Sequence, residues 1–167
     1  MSLRSILRSF LKRRRRTRQV GRRAYERFRE DARIVIGARV AYWRSVQPFT
    51  IGRISIKNHQ RLWGSCSSRG NLNFNWRLLC LPQHLADYVV VHELCHIREM
   101  NHSRQFWAHV ESLLPEWRTH RAELRRYAPT FFNAHYSAYT TQQRKEFLPD
   151  VVPQSVLTLL TSTTHET

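Results

Sequence analysis

The sequence is short of anything that would cross-link it, carry it through a membrane or balance its positive charge. It has three cysteines, Cys66, Cys80 and Cys95, and no C-x-x-C pair. That argues against a disulfide scaffold and against a cysteine-based zinc finger. The expected state is reduced, mostly buried thiols in a cytoplasmic protein. No apolar run approaches the roughly eighteen residues needed to cross a bilayer; Val89-Val90-Val91 is typical of those present. Leu3 to Leu11 is broken by Arg4 and Arg8, so it does not read as a signal peptide. Acidic residues are scarce, 12 against 28 Lys and Arg, for a formal charge of +16. The chain is about one domain long, and its hydrophobic fraction of 41% is enough to fold around one core.

The positive charge is uneven. Residues 1–30 hold 12 basic and 2 acidic side chains, centred on Lys12-Arg13-Arg14-Arg15-Arg16. Such a block favours polyanions electrostatically, whether nucleic acid or anionic lipid; it serves equally as a solvated, solubilising arm. Leu3, Ile6, Leu7, Phe10 and Leu11 give residues 1–16 an amphipathic pattern suited to a membrane surface, a partner groove or packing on the domain. The composition divides the chain into a basic arm (1–19), a folded domain (20–130) and a polar, partly disordered tail (131–167).

Within the domain, Val20, Ala24, Phe28, Ala32, Val35, Ile36, Val40 and Trp43 recur at helical steps, predicting a long helix over 18–46 that ends before Pro48. Ile54 and Ile56 alternate with polar residues, as in a strand. Residues 58–70 read as a loop. Leu72, Phe74, Trp76 and Leu78 alternate with Asn71, Asn73, Asn75 and Arg77, predicting one strand over 71–78 with a buried and a polar face. A helix from Pro82 to about Met100, a second from Arg104 capped by Ser103, and a third over 116–127 after Pro115 complete the order. Helix, strands, then helices is an α+β arrangement.

His92-Glu93-Leu94-Cys95-His96 is H-E-x-x-H. Residues four apart share a helix face, so both imidazoles can reach one cation, and Glu93 lies near enough to act on a metal-activated water. At this chain's own residue frequencies the pattern arises by chance roughly 3% of the time. Its setting among Ala86, Val89, Val90, Val91, Leu94 and Ile97 strengthens it, because buried polar side chains are costly unless paired or bound to metal. The rival is a pair of ordinary core histidines. A third ligand is needed, and His102 and His109 compete for it. In a continuing helix His102 would lie about 9 Å along the axis from His96. The helix must therefore end between them, with Asn101 in a left-handed conformation as the candidate stop. His109 falls beside an apolar stripe, where packing suits it better.

From about Arg33 to Pro129 the sequence resembles the YgjP-like metallopeptidase family, related to the WLM and SprT-like zinc proteases. The resemblance is carried by Trp63-Gly64-Ser65-Cys66-Ser67-Ser68, Gly70-Asn71-Leu72, Asn75-Trp76-Arg77-Leu78, Tyr88 to His96, Met100-Asn101-His102-Ser103 and Phe106-Trp107. It implies a zincin-like fold with a long N-terminal helix, a small antiparallel sheet and an H-E-x-x-H helix followed by further helices. It also implies one Zn2+ held by His92, His96 and His102, Glu93 as general base, and the Trp63-Gly64-Ser65 loop beside the cleft. Two departures stand out. The family's β-rich region before the long helix is replaced here by the basic arm, and Leu62 stands where a basic residue usually precedes Trp-Gly-Ser, with Arg61 one place earlier.

The expected activity is hydrolysis of peptide bonds in a protein or peptide substrate by a zinc-activated water. Arg61, Trp63, Ser65, Asn75 and Arg77 are the candidates for substrate binding, and His59 joins them as a possible oxyanion donor. The polar edge of the 71–78 strand is the expected docking line for an extended peptide. Three rivals share the residues: a metal-dependent nucleotide (phosphoanhydride) hydrolase, a nucleic-acid-binding module with a structural metal, and a protease directed to nucleic-acid-bound proteins through Lys12 to Arg16.

Overall fold

The computed structural model describes the backbone of residues 3–131 and the side chains of residues 22–127. The arm Lys12 to Arg16 is therefore seen only as backbone, and the tail beyond 131 lies outside the described residues. Among the described residues the order is α1 (Leu3–Val46), β1 (Ile54–Lys57), β2 (Gly64–Cys66), β3 (Leu72–Asn75), a 3-10 helix (Trp76–Cys80), α2 (Gln83–Cys95), α3 (Arg104–Leu113) and α4 (Trp117–Phe131).

The backbone of α1 is helical across residues 19 and 20 without a break. Its apolar stripe, Ala32, Val35, Ile36, Val40 and Trp43, is buried against the 3-10 helix, α2 and β1. Tyr25 on the same helix donates its hydroxyl to the Ile56 carbonyl at 3.0 Å, which fixes α1 over the sheet. A bidentate ion pair ties α1 to α2. Arg39 Nε and Nη2 lie 2.7 and 2.8 Å from the Asp87 carboxylate, and Trp43 Nε1 adds a third donor at 3.2 Å. Arg39 and Asp87 are both buried. Such a pair is tolerated inside only when its hydrogen bonds are made, as they are here.

The sheet differs from the all-antiparallel one expected. Its order is β1-β3-β2, with β1 parallel to β3 and β2 antiparallel to it. A tight turn returns β2 onto β3, closed by Gly70 N–H to the Ser67 carbonyl at 2.8 Å. Gly70 has φ +70°, which a side chain would resist. The turn places β3 in the centre, and β1 pairs on its other side. β2 lies inside what the sequence presents as a loop, because Gly-Ser-Cys carries no apolar alternation to reveal it.

The single strand expected over 71–78 stops at Asn75. Asn75 accepts a hydrogen bond from the Arg77 N–H, and the chain turns into the 3-10 helix. This local competition for backbone donors ends the strand while keeping Trp76 and Leu78 in the core. Asn75 and Arg77 are consequently buried rather than presented on a polar face. The docking edge predicted for 71–78 does not exist either, since β3 is paired on both sides.

Candidate metal centre

α2 ends at Cys95, five residues before the boundary at Met100 that the sequence suggests. Nearly all of it is buried, so the polar residues at its C-terminal end enter a largely apolar environment. His96 caps the helix, and the following turn is held by Arg98 and Glu99 N–H bonds to the Cys95 carbonyl. The turn brings His102 back over α2. Asn101 does this without the left-handed backbone expected of it, since the described residues contain no non-glycine residue with positive φ. Its Oδ1 instead accepts from the Ser103 N–H at 2.9 Å, and Ser103 Oγ accepts from the Phe106 N–H at 3.2 Å. Two short polar side chains thus turn the chain and start α3.

His92, His96 and His102 converge, with one ring nitrogen from each inside a 4.8 Å cluster. His109 is not part of it. The Nε2 atoms of His92 and His102 are 3.0 Å apart. Two nitrogens on one tetrahedral zinc lie roughly 3.3 Å apart, so this spacing is close to that of a ligand pair. His96 Nδ1 lies 3.0 Å from the Glu99 carbonyl. A carbonyl can only accept, so Nδ1 carries the proton and Nε2 keeps its lone pair for a cation. Burial, then the neighbouring His96, His102 and Arg121, pushes His92 down to about 3. Burial also lowers His96, although its hydrogen bond to Glu99 works the other way. Three convergent imidazoles are the donor set a zinc-like ion takes, and the residues fit one.

Phe106, wholly buried at the start of α3, lies 4.5, 4.8 and 4.9 Å from the rings of His96, His102 and His92. It forms an apolar floor beneath all three. Trp107 stacks on His102 on one side and on Trp117 of α4 on the other. α3 and α4 therefore hold the third histidine in place.

Glu93 is buried beside the triad, and desolvation pushes its carboxyl up to about 8. β2 crosses directly over it. A Cβ built at Gly64 would lie 2.7 Å from both Glu93 Cγ and Oε1. Only glycine lets this strand pass so close. Gly64 and Cys66 share the β2 face that looks toward Glu93, while Ser65 lies on the opposite face and accepts a hydrogen bond from Asn73 at 3.2 Å. Bonds to β3 flank Gly64 and Cys66 at Trp63 and Ser67, so their own N–H and C=O groups point to the outer edge of the sheet.

A cavity of about 310 Å³ opens beside Glu93 and His92, between the start of β2, α2 and α4. Of the substrate-binding candidates, Arg61 and Trp63 line it. Ser65 is turned away. Asn75 donates to the His59 and Leu62 carbonyls at 2.9 and 2.8 Å, and Arg77 to Asn58 Oδ1 at 2.8 Å. Both brace the loop before β2 from inside the core, and the His59 carbonyl is engaged in that bracing. Sequence reasoning missed Tyr88, Arg121 and Arg125 on the cavity wall. The spacing of Arg121 and Arg125 puts them on one helical face, but nothing in the sequence folds α4 back onto α2.

A family model for the YgjP-like metallopeptidase domain matches residues 2–127. Comparison with curated proteins and with solved structures gives no match.

Proposed function

The chain belongs to the YgjP-like metallopeptidase family, and from that premise we propose that it is a zinc-dependent peptidase with Glu93 as its general base. The observation that carries this reading is the arrangement of a buried carboxylate next to three convergent imidazoles, under an edge strand with free backbone groups. His92, His96 and His102 would hold the metal, whose Lewis acidity at an open position would acidify water and polarise a carbonyl.

The remaining work falls to the chain's own groups. An extended peptide pairs with the outer edge of β2 through the N–H and C=O groups of Gly64 and Cys66, which lays a peptide bond across Glu93. Glu93 takes a proton from the attacking water and delivers it to the departing amine. Its apolar surroundings favour this role, because a desolvated carboxylate holds a proton more strongly than one in water. Phe106 beneath the triad excludes solvent from the inner side.

The test pairs two substitutions. Wild type should carry about one zinc per chain by elemental mass spectrometry. Glu93→Gln should keep the metal and lose about a hundredfold to ten-thousandfold in peptide turnover. His102→Ala should lose most of the metal. A Glu93→Gln protein that turns over peptide at the wild-type rate would overturn the assignment.

A further inference from the structure

The cavity beside Glu93 has a charge that the hydrolytic reading does not use. Three guanidinium groups, Arg61, Arg121 and Arg125, line it, against a single carboxylate, Glu93 itself. Arg121 and Arg125 stand one turn apart on α4, and Arg61 faces them from the loop leading into β2. Among the described residues none of the three forms an ion pair, whereas the preceding arginine of α4, Arg118, is paired with Glu111 at 2.6 Å. Arg121 is propped on the Trp107 ring, 4.8 Å from its centroid, which holds it near the metal centre. Below these charges the wall is apolar, formed by Val89 and Leu124, both buried.

An apolar pocket rimmed by cations that no carboxylate among the described residues pairs, and opening onto a general base, selects a group with a short hydrocarbon stem and an anionic end. The pocket adjoins the β2 edge, so a peptide paired there would present a neighbouring residue to it. We infer that Arg61, Arg121 and Arg125 form a carboxylate-recognising subsite, making the chain selective for acidic peptides. The carboxylate is either an aspartate or glutamate side chain beside the scissile bond or the C-terminus of a short peptide. This rests on the peptidase reading above for its substrate but not for its binding chemistry.

The experiment has two readouts. In the first, zinc-loaded wild type is given quenched-fluorescence peptides carrying Glu, Gln or Lys at each position flanking the cleavage site, with free or amidated C-termini. Glu should be preferred over Gln by roughly tenfold in kcat/KM at low salt, the scale expected of solvent-accessible arginines acting together. The preference should shrink as salt rises. Arg121→Gln/Arg125→Gln should bring the ratio close to one, and Arg121→Glu/Arg125→Glu should shift preference to the Lys peptides, a gain that a misfolded protein could not show. Preference for the free over the amidated terminus, lost in the same variants, would place the carboxylate at the chain end.

In the second, zinc-loaded Glu93→Gln protein is titrated with labelled acidic and neutral peptides by fluorescence anisotropy, with a nucleoside triphosphate as competitor. Discrimination for the acidic peptide here, with no cleavage of any peptide by wild type, would sink the peptidase reading and leave the subsite standing. Equal treatment of Glu, Gln and Lys peptides together with equal treatment of free and amidated termini, or a preference that survives both double variants, would overturn the subsite. Tighter binding of the triphosphate than of every acidic peptide, abolished by the arginine substitutions, would overturn the peptide as its occupant.

Discussion

Gly64 shows how much a missing side chain can matter. The strand it belongs to passes so near Glu93 that a methyl group would sit 2.7 Å from the carboxylate. Gly64→Ala therefore moves either β2 or Glu93. The second is softer, since a side chain rotates more readily than a paired strand shifts. Metal content should stay at the wild-type level, because the three histidines lie on α2 and the turn after it. Peptide turnover should fall by about a hundredfold, the scale of misplacing a catalytic group by an ångström. Turnover in the variant equal to wild type would count against the proposed role of Glu93 beneath β2. The residues most visible in the sequence were those whose chemistry depends on local spacing: His92, Glu93 and His96 on one helix. His102 was legible as the favoured third ligand over His109, on the condition that the helix stops between His96 and His102. Gly64 was legible as part of a motif but not as the residue that makes room, because its neighbour across the gap is 29 positions away.

At the scale of elements, periodicity located helices well and the sheet poorly. α1, α3 and α4 carry apolar stripes that repeat with the helical turn, and burial follows those stripes. β2 has three residues and no stripe, and β3 ends where Asn75 redirects the backbone into the 3-10 helix. Neither event leaves a hydrophobic signature. The contact between α1 and α2 was equally hidden. Arg39 and Asp87 look like two surface charges in sequence, yet they meet at 2.7 Å in the core with Trp43 as a further donor. Removing one partner leaves the other charged and buried. Asp87→Ala should lower unfolding stability by about 3–5 kcal/mol, read from denaturant titration. Replacing Arg39 and Asp87 together with apolar residues of similar volume should cost much less, because no orphaned charge remains. Additive losses in the double variant would show that the two side chains contribute independently and that an orphaned charge is not what makes the single variants costly.

At the scale of the whole molecule, the candidate site also shapes how stability responds to pH. In metal-free protein, folding holds His92 near 3, well below its ordinary value near 6.5. The unfolded chain binds more protons between those two values, so stability is lost as pH falls through that window. His96, lowered by the same burial, adds to the loss. Glu93 acts in the opposite sense. Its folded pKa of about 8 lies above the usual 4.5, so the folded state holds the extra proton and stability is lost as pH rises from 4.5 to 8. Metal-free wild type should therefore be most stable between about pH 4.5 and 6.5, where the two effects overlap. Glu93→Gln should remove the alkaline decline and leave the acidic one. Metal binds only the folded arrangement, so loading it should add about 4 kcal/mol at a thousandfold excess over its dissociation constant. It should also steepen the fall below pH 6.5, since protons then compete with metal for the same imidazoles. Thermal unfolding across pH 4–9, with and without a chelator, separates these contributions. A chelated protein whose stability is flat over that range would show that His92, His96 and Glu93 are not held in the desolvated arrangement described above.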